Sequence, residues 1–369
     1  MTQREEIWNR AEKLLYEFYG DSPDLQIVGR FLSEKQGLAG YGVAEYFDEL
    51  TALCWESLGR YNEKLIVKNM VSCCFTAYLL GASEIDPLPP HYYCPKCKRV
   101  EWAEGNACLF DMRATRRCEC GAEMRVDGYG IPWETYRPYA ERLKTKDPVP
   151  ENYKDLFEEL TKKHFQWSLL GAGQAVNLLG QATGVSEEEI DLNDREVKCR
   201  LLGGDLGCMH PKLADFLRHA YTVAQPSSYA ELLKLIGLAH GTGTWRNNAE
   251  DWLLNGECKL SDIPATRDEV YRMICDAMQK CEAYDAGFAF DVSDKARKGY
   301  YRERGMDGYT VEMLRKLRCD EWFIDYLLRT YYMSTQALSV LELKYSIILN
   351  WYRAYYPREY QRIMAEYNA

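Results

Sequence analysis

Apolar residues recur at helical spacing through most of this chain. Ile7, Ala11, Leu14, Leu15 and Phe18 fall on one face of a 3.6-residue turn. Leu341, Tyr345, Ile348, Tyr352 and Tyr355 do the same near the other end. They predict a long helix that Pro357 should stop, because proline has no N–H and clashes with the preceding turn. The same period predicts helices over 153–181, 211–223, 228–236, 267–285 and 320–333. Strand signals are few: Lys64 to Val67, and Glu123 to Val126 beside a cysteine pair. There is no internal repeat and no low-complexity tract. The expected fold class is mainly α, as an α+β protein with little strand.

Two breaks interrupt the helical pattern. Asp86 to Pro90 holds three prolines and should be extended, since a residue before proline is pushed out of the helical region. Lys144 to Pro150 is the second break. They predict three parts: an N-terminal helical unit over 1–86, a small cysteine-bearing module over 87–143, and a helical domain over 144–369.

Composition narrows the function classes. The net charge of −10 argues against a surface that clamps nucleic acid all over, because phosphate binding needs concentrated Lys and Arg. A local patch is different. From Cys94 to Arg125 the chain carries Lys96, Lys98, Arg99, Arg113, Arg116, Arg117 and Arg125 against Glu101, Glu104, Asp111, Glu119 and Glu123, so this segment is net positive. The 28 tyrosines, against 11 phenylalanines, suit half-buried surfaces that stack or donate hydrogen bonds, or simply Tyr-rich cores. The start is a charged amphipathic helix rather than a signal peptide, and the most apolar stretch, Met70 to Ala82, is too short to span a bilayer. The expectation is a cytoplasmic protein with no membrane contact, whose 14 cysteines are reduced thiols with a subset on a metal.

That subset is visible. Cys94-x-x-Cys97 and Cys118-x-Cys120-Gly121 are two knuckles twenty residues apart, the spacing of a zinc ribbon in which four thiolates close a tetrahedral site. The second knuckle is one residue tighter than usual, and Cys108 is a candidate substitute ligand. Four thiolates leave no open position, so the Zn2+ would be structural, stapling a loop too small to bury a core of its own. Metal-free reduced pairs are the plain alternative. A thioredoxin-like redox pair does not fit, because no βαβ pattern surrounds it.

The string "PLPPHYYCPKC" that opens the module resembles the start of the zinc module in the C-family replicative DNA polymerases of bacteria, the PolC-type DNA polymerase III alpha subunit. "DGYGIPWETY" (127–136) looks like the segment after that family's second knuckle. "YAELLKLIGLAHGTGTW" (229–245) and "NAEDWLLNGECKLSDIPATRDEV" (248–270) look like its fingers region, and "EWFIDYLLRTYYM" (321–333) follows in family order. "IVGRFLSEKQGLAGYGVAEYFDEL" (27–50) fits more loosely. The resemblance implies a remnant palm-like N-terminal unit, a zinc-ribbon module and a helical fingers-like domain.

The family's chemistry is not retained. Its palm carboxylates hold two magnesium ions for nucleotidyl transfer. Where it has two aspartates after a Val-Pro step, this chain has Glu151 and Tyr153, and Ser168 stands for the third. The long palm and thumb stretch between those places is missing, so no magnesium site is expected. The family's Gly-Ser-Arg-Gly-Ser phosphate loop aligns with "IVKNMVSCCF", where Lys68 is the remaining basic residue. A Lys and a His that hold the incoming nucleotide align with Gln336 and Leu338. Exonuclease and duplex-binding domains are expected to be absent.

What is retained suggests contacts. "LAHGTGTW" keeps His240, Thr242 and Trp245, read either as a remnant nucleotide or DNA contact or as a glycine-bearing helix connection kept for packing. With Lys68, Lys96, Lys98, Arg99, Arg116 and Arg117 these residues make the candidate DNA- or nucleotide-binding set. "KARKGYYRERG" (295–305) interleaves basic and aromatic residues as single-strand binders do, and a solvated loop explains it equally. "GAGQAVNLLG" (171–180) mimics a dinucleotide loop but sits inside a predicted helix. "CMHP" (208–211) is a weak metal candidate. Three functions follow: a catalytically inactive DNA- or replisome-binding module, with DNA and replication proteins as partners; an enzyme with a site rebuilt from Glu151, Asp155, Glu158 and Glu159; or a protein–protein decoy without DNA affinity.

Overall fold

The structure is a computed structural model and describes residues 3–62, 64, 66, 70–105, 107–113, 115–137, 169–283 and 285–368. In chain order the helices are α1 (Gln3–Tyr19), α2 (Leu25–Leu38), α3 (Val43–Glu56), α4 (Phe75–Leu80), α5 (Leu169–Thr183), α6 (Arg195–Leu202), α7 (Pro211–Ala224), α8 (Tyr229–His240), α9 (Glu250–Leu254), α10 (Arg267–Lys280), α11 (Ala286–Arg297), α12 (Tyr300–Arg304), α13 (Gly308–Lys316), α14 (Glu321–Arg329), α15 (Gln336–Tyr355) and α16 (Pro357–Asn368). Among the described residues the protein is mainly helical, with one small antiparallel sheet. It groups into two compact units, one formed by Met1–Cys199 with Lys344–Ala369, the other by Arg200–Leu343. The three-part division expected above has its second boundary outside the described residues.

In the first unit, α1 buries Ile7, Trp8, Ala11, Leu15 and Tyr19. The stripe is rotated from the expected one: Phe18 is exposed and its ring lies 6.3 Å from that of Tyr78. α1 packs on α3 and α4, and α2 on α4. The side chain of Asp24 accepts from the Gln26 N–H and caps α2, satisfying one of the donors that a helix start leaves open. Pro357 ends α15 as expected, but the chain resumes at once as α16, with proline in the first turn where its missing N–H costs nothing. Tyr345, Ile348 and Tyr352 are buried, while Tyr355 is exposed.

The sheet has the order β2-β1-β4-β3, built from β1 (His91–Tyr93), β2 (Val100–Trp102), β3 (Arg116–Arg117) and β4 (Glu123–Asp127). All its pairs are antiparallel, and His91 lies between Trp102 and Asp127. β4 was expected. The other strands are two or three residues long, too short for an alternation signal. Lys64 and Ile66 lie in no strand; Leu65 and Val67 fall outside the described residues.

The Asp86–Pro90 segment is extended but is no free linker. Tyr129, Gly130 and Ile131 donate backbone N–H groups to the carbonyls of Asp86, Leu88 and Pro87. Gly128 makes this possible: its φ is +94°, and a Cβ there would sit 2.3 Å from the Pro89 carbonyl.

In the second unit, Leu217, Leu235, Ile236, Ile274, Val292, Leu314 and Leu327 are among the fully buried core residues. Ser228 caps α8 and Thr266 caps α10. α10 and α14 end sooner than their patterns predict. After Arg329 the backbone turns extended so that Thr242 and Tyr332 pair: the N–H of Thr242 donates to Tyr332, and those of Tyr331 and Tyr332 to Thr242. "GAGQAVNLLG" lies on α5, inside a helix as expected; Pro211 starts α7, and the His210 side chain caps it.

Candidate metal centre and its surroundings

Each cysteine knuckle sits at a hairpin end of the sheet. The first closes the β1–β2 turn, with the Cys94 N–H donating to the Arg99 carbonyl and the Lys98 N–H to the Cys94 carbonyl. Lys98 takes a positive φ of 65°, uncommon for a side-chain-bearing residue. The second closes the β3–β4 turn, with the Cys118 N–H donating to Ala122 and the Gly121 N–H to Cys118. β1 and β4 are neighbours, so both turns converge at the same end.

The four sulfur atoms of Cys94, Cys97, Cys118 and Cys120 all lie within 4.8 Å of one another. Cys94 Sγ is 3.5 Å from Cys120 Sγ, and Cys97 Sγ is 3.4 Å from Cys118 Sγ. A tetrahedral zinc with Zn–S bonds of about 2.3 Å needs sulfurs roughly 3.8 Å apart, so the donor set fits such an ion. None of the four is in a disulfide. Cys94 and Cys118 are buried with Met124, and Cys97 and Cys120 are exposed, so the site caps a very small core. Burial pushes the Cys94 thiol up, but the N–H groups of Cys97 and Lys96 and the adjacent thiols outweigh it and hold it at about 6. At Cys118 the Cys120 N–H favours the thiolate, while burial and the neighbouring sulfurs push it up to about 12. Cys108 stands apart from the cluster, and burial raises it to about 12.

The basic residues around the module are only partly available. Arg99 and Arg116 both reach Glu101, at 3.3 and 2.9 Å, and Arg99 also pairs with Glu119. Arg116 stacks on Tyr92. Lys98 donates to the Tyr93 hydroxyl. Lys96 and Arg117 are exposed and have no ion pair among the described residues.

The other candidate residues lie elsewhere in the sequence. Lys68, Glu151, Tyr153, Asp155, Glu158, Glu159 and Ser168 lie outside the described residues. Trp245 is buried edge-on against Phe216, 5.7 Å between rings, so its ring serves the core. His240 ends α8, with Nε2 4.0 Å from Glu342. Thr242 is exposed and holds Tyr331 and Tyr332 through its backbone. Gln336 is buried: its N–H donates to Asp268, and its Oε1 accepts from Arg272.

One buried ion pair left no sequence signal. Glu34, on α2, is fully buried and projects at the start of α4. Its Oε1 accepts from the Phe75 N–H at 2.8 Å, and its Oε2 from the Thr76 N–H and hydroxyl, each at 2.9 Å. Arg30 donates to the same carboxylate at 2.7 Å and to the carbonyls of Cys73 and Ile131. A carboxylate from α2 thus satisfies the first backbone donors of α4.

Fold and site together define a mainly helical protein carrying a small four-cysteine ribbon able to hold a metal ion. No protein-family model matches the chain. It is similar to the DNA polymerase III PolC-type of Thermotoga maritima, 24% identical over 96% of this chain and 34% of the relative. The DNA polymerase III PolC-type of Thermotoga petrophila is 24% identical over 94% of this chain and 34% of the relative. That of Clostridium perfringens is 23% identical over 96% and 32%. The chain is similar to these PolC-type polymerases and spans about a third of their length. The first alignment runs over 480 residues against the 369 of this chain, so the relative has internal segments that this chain lacks. Among the described residues no helix is long and apolar enough to cross a membrane.

Proposed function

We propose that this protein is a PolC-like DNA-binding module that does not polymerise. A structural Zn2+ on Cys94, Cys97, Cys118 and Cys120 holds the ribbon, and DNA is the ligand, with replication proteins as further partners. The observation that carries the non-polymerising reading is that Glu151, Tyr153 and Ser168 stand at the positions aligned with the family's metal-binding aspartates. Lys68 as the remaining basic residue aligned with the family's phosphate loop, and Gln336 and Leu338 in place of its nucleotide-holding Lys and His, support the same reading. The PolC-type names of the relatives support DNA as the ligand.

The test is a primer-extension assay with Mg2+ and all four nucleotides, run beside equilibrium binding to the same primer–template. Binding without extension is expected. Extension that disappears on replacing Glu151 and Asp155 would overturn the proposal in favour of a rebuilt carboxylate site. A protein–protein module without DNA affinity is the second reading, favoured by Glu101 neutralising Arg99 and Arg116. Absence of binding even at low salt would select it.

A further inference from the structure

The second unit carries a surface strip in which arginine and tyrosine are already stacked. Arg302 lies over the Tyr331 ring, 5.1 Å from its centre, and Arg304 over Tyr300 at 5.3 Å. All four residues are exposed. Two glycines bring the segments together. Gly243, at φ +69°, would place a Cβ 2.5 Å from the Tyr331 ring, and Gly299, at φ +67°, would place one 2.3 Å from the Tyr331 carbonyl. The strip continues through the Thr242–Tyr332 pair, with Tyr332 exposed, into the loop carrying exposed Arg246. Arg329 ends it, donating to the Asn247 carbonyl and lying 4.7 Å over Trp252.

Charge along the strip is uneven. Asp291 pairs with Lys295, Asp294 with Arg297 and Lys298, and Asp325 with Arg329, while Asp307 caps α13. Arg246, Arg302 and Arg304 have no ion pair among the described residues, and Glu303 is the unpaired acid beside them. On a chain of net charge −10 this is a local cationic stretch lined with aromatic faces.

We infer that this strip binds single-stranded DNA, with bases stacking on Tyr300, Tyr331 and Tyr332 and phosphates meeting Arg246, Arg302 and Arg304. Stacking on an aromatic face tolerates any base, and unpaired guanidiniums supply the backbone contacts. Exposed aromatics flanked by cations without carboxylate partners fit a polyanion with π-faces better than an apolar peptide. The inference rests on the proposed DNA-binding function and places it on the second unit instead of the ribbon.

The experiment measures binding of a fluorescent oligo-dT and of a duplex of the same length to the full chain. It compares wild type, Arg302→Gln/Arg304→Gln, Tyr331→Ala, Tyr331→Phe and Arg116→Gln/Arg117→Gln. Tyr331→Ala should weaken oligo-dT binding roughly five- to a hundredfold, with Tyr331→Phe close to wild type. Arg302→Gln/Arg304→Gln should weaken binding and flatten the salt dependence by up to about two in log–log slope. These two arginines are exposed and unpaired, so that variant keeps the question open to refutation even where Tyr331→Ala fails to fold. If oligo-dT binds tightly and only Arg116→Gln/Arg117→Gln weakens it, the strip is wrong and the DNA-binding function stands. Binding of duplex but not oligo-dT would also overturn the strip alone. If wild type binds neither probe, the DNA-binding function itself fails.

Discussion

Replacing Glu34 by alanine removes a buried anion that four donors converge on. Phe75 N–H, Thr76 N–H and the Thr76 hydroxyl lose their acceptor, and Arg30, only 14% exposed, loses its counter-charge. Breaking a buried ion pair from one side costs about 3–5 kcal/mol, because the remaining charge stays buried without compensation. The orphaned backbone donors would each cost about 1–3 kcal/mol, but water entering the vacated space offsets part of that, so the expected total stays near about 3–5 kcal/mol. For a unit of this size that is a fall in Tm of roughly 6–20 °C. Glu34→Gln keeps the shape and one acceptor oxygen and should lose less. Arg30→Met/Glu34→Leu should cost less than the two single changes added together, since removing both charges leaves neither uncompensated. Urea unfolding followed by tryptophan fluorescence is a suitable assay: Trp8 packs against Phe31 and Trp133 against Gly37, both on α2. A loss below about 1 kcal/mol for Glu34→Ala would refute the view that this carboxylate organises the start of α4.

Three further outcomes are expected. The purified protein should hold one zinc per chain by elemental analysis, and Cys94→Ser or Cys118→Ser should release it and abolish the protease resistance of the ribbon; unchanged metal content would contradict the four-sulfur site. At Glu84, burial pushes the carboxyl up, but Lys344 at 2.5 Å, Lys64 and the Tyr345 hydroxyl outweigh it and hold it at about 2. Its folded value is depressed, so its stabilising contribution is present above the ordinary value of 4.5 and is lost as pH falls toward about 2. The unscreened shift corresponds to about 3 kcal/mol, and with the side chain 24% exposed about 2 kcal/mol is expected; Glu84→Gln should therefore flatten the stability profile between those pH values, and an unchanged profile would refute it. Gly128→Ala should destabilise the first unit by about 2 kcal/mol or more in the same urea assay, because its backbone has φ +94° and a Cβ meets the Pro89 carbonyl; a neutral outcome would contradict that packing.

The sequence made some of this legible and not the rest, for physical reasons. Cysteine spacing survives as a local signal, because a knuckle is a few residues long, and all four sulfurs converge as the spacing implies. Long amphipathic helices such as α7 and α8 were legible within a few residues. The strands around the knuckles were not, because two or three residues carry no period. Pro87, Pro89 and Pro90 correctly signalled extended backbone, but its pairing with 129–131 comes from a contact some forty residues away. The sequence left Trp245 open between a remnant DNA contact and a packing role, because which way a loop tryptophan faces is set by tertiary packing; it is buried against Phe216. Glu34 was invisible for the same reason: a glutamate on an amphipathic helix reads as a solvated side chain until Phe75 and Thr76, 41 and 42 residues away, fold over it.

The most direct measurement is the affinity of the zinc-loaded chain for oligo-dT across a salt series, with the lengths of a labelled primer followed in parallel under Mg2+ and nucleotides. A DNA-binding, non-polymerising protein predicts a Kd that weakens steeply and linearly in log–log as salt rises, with the primer unchanged in length. Primer extension, or no binding at the lowest salt, would contradict it.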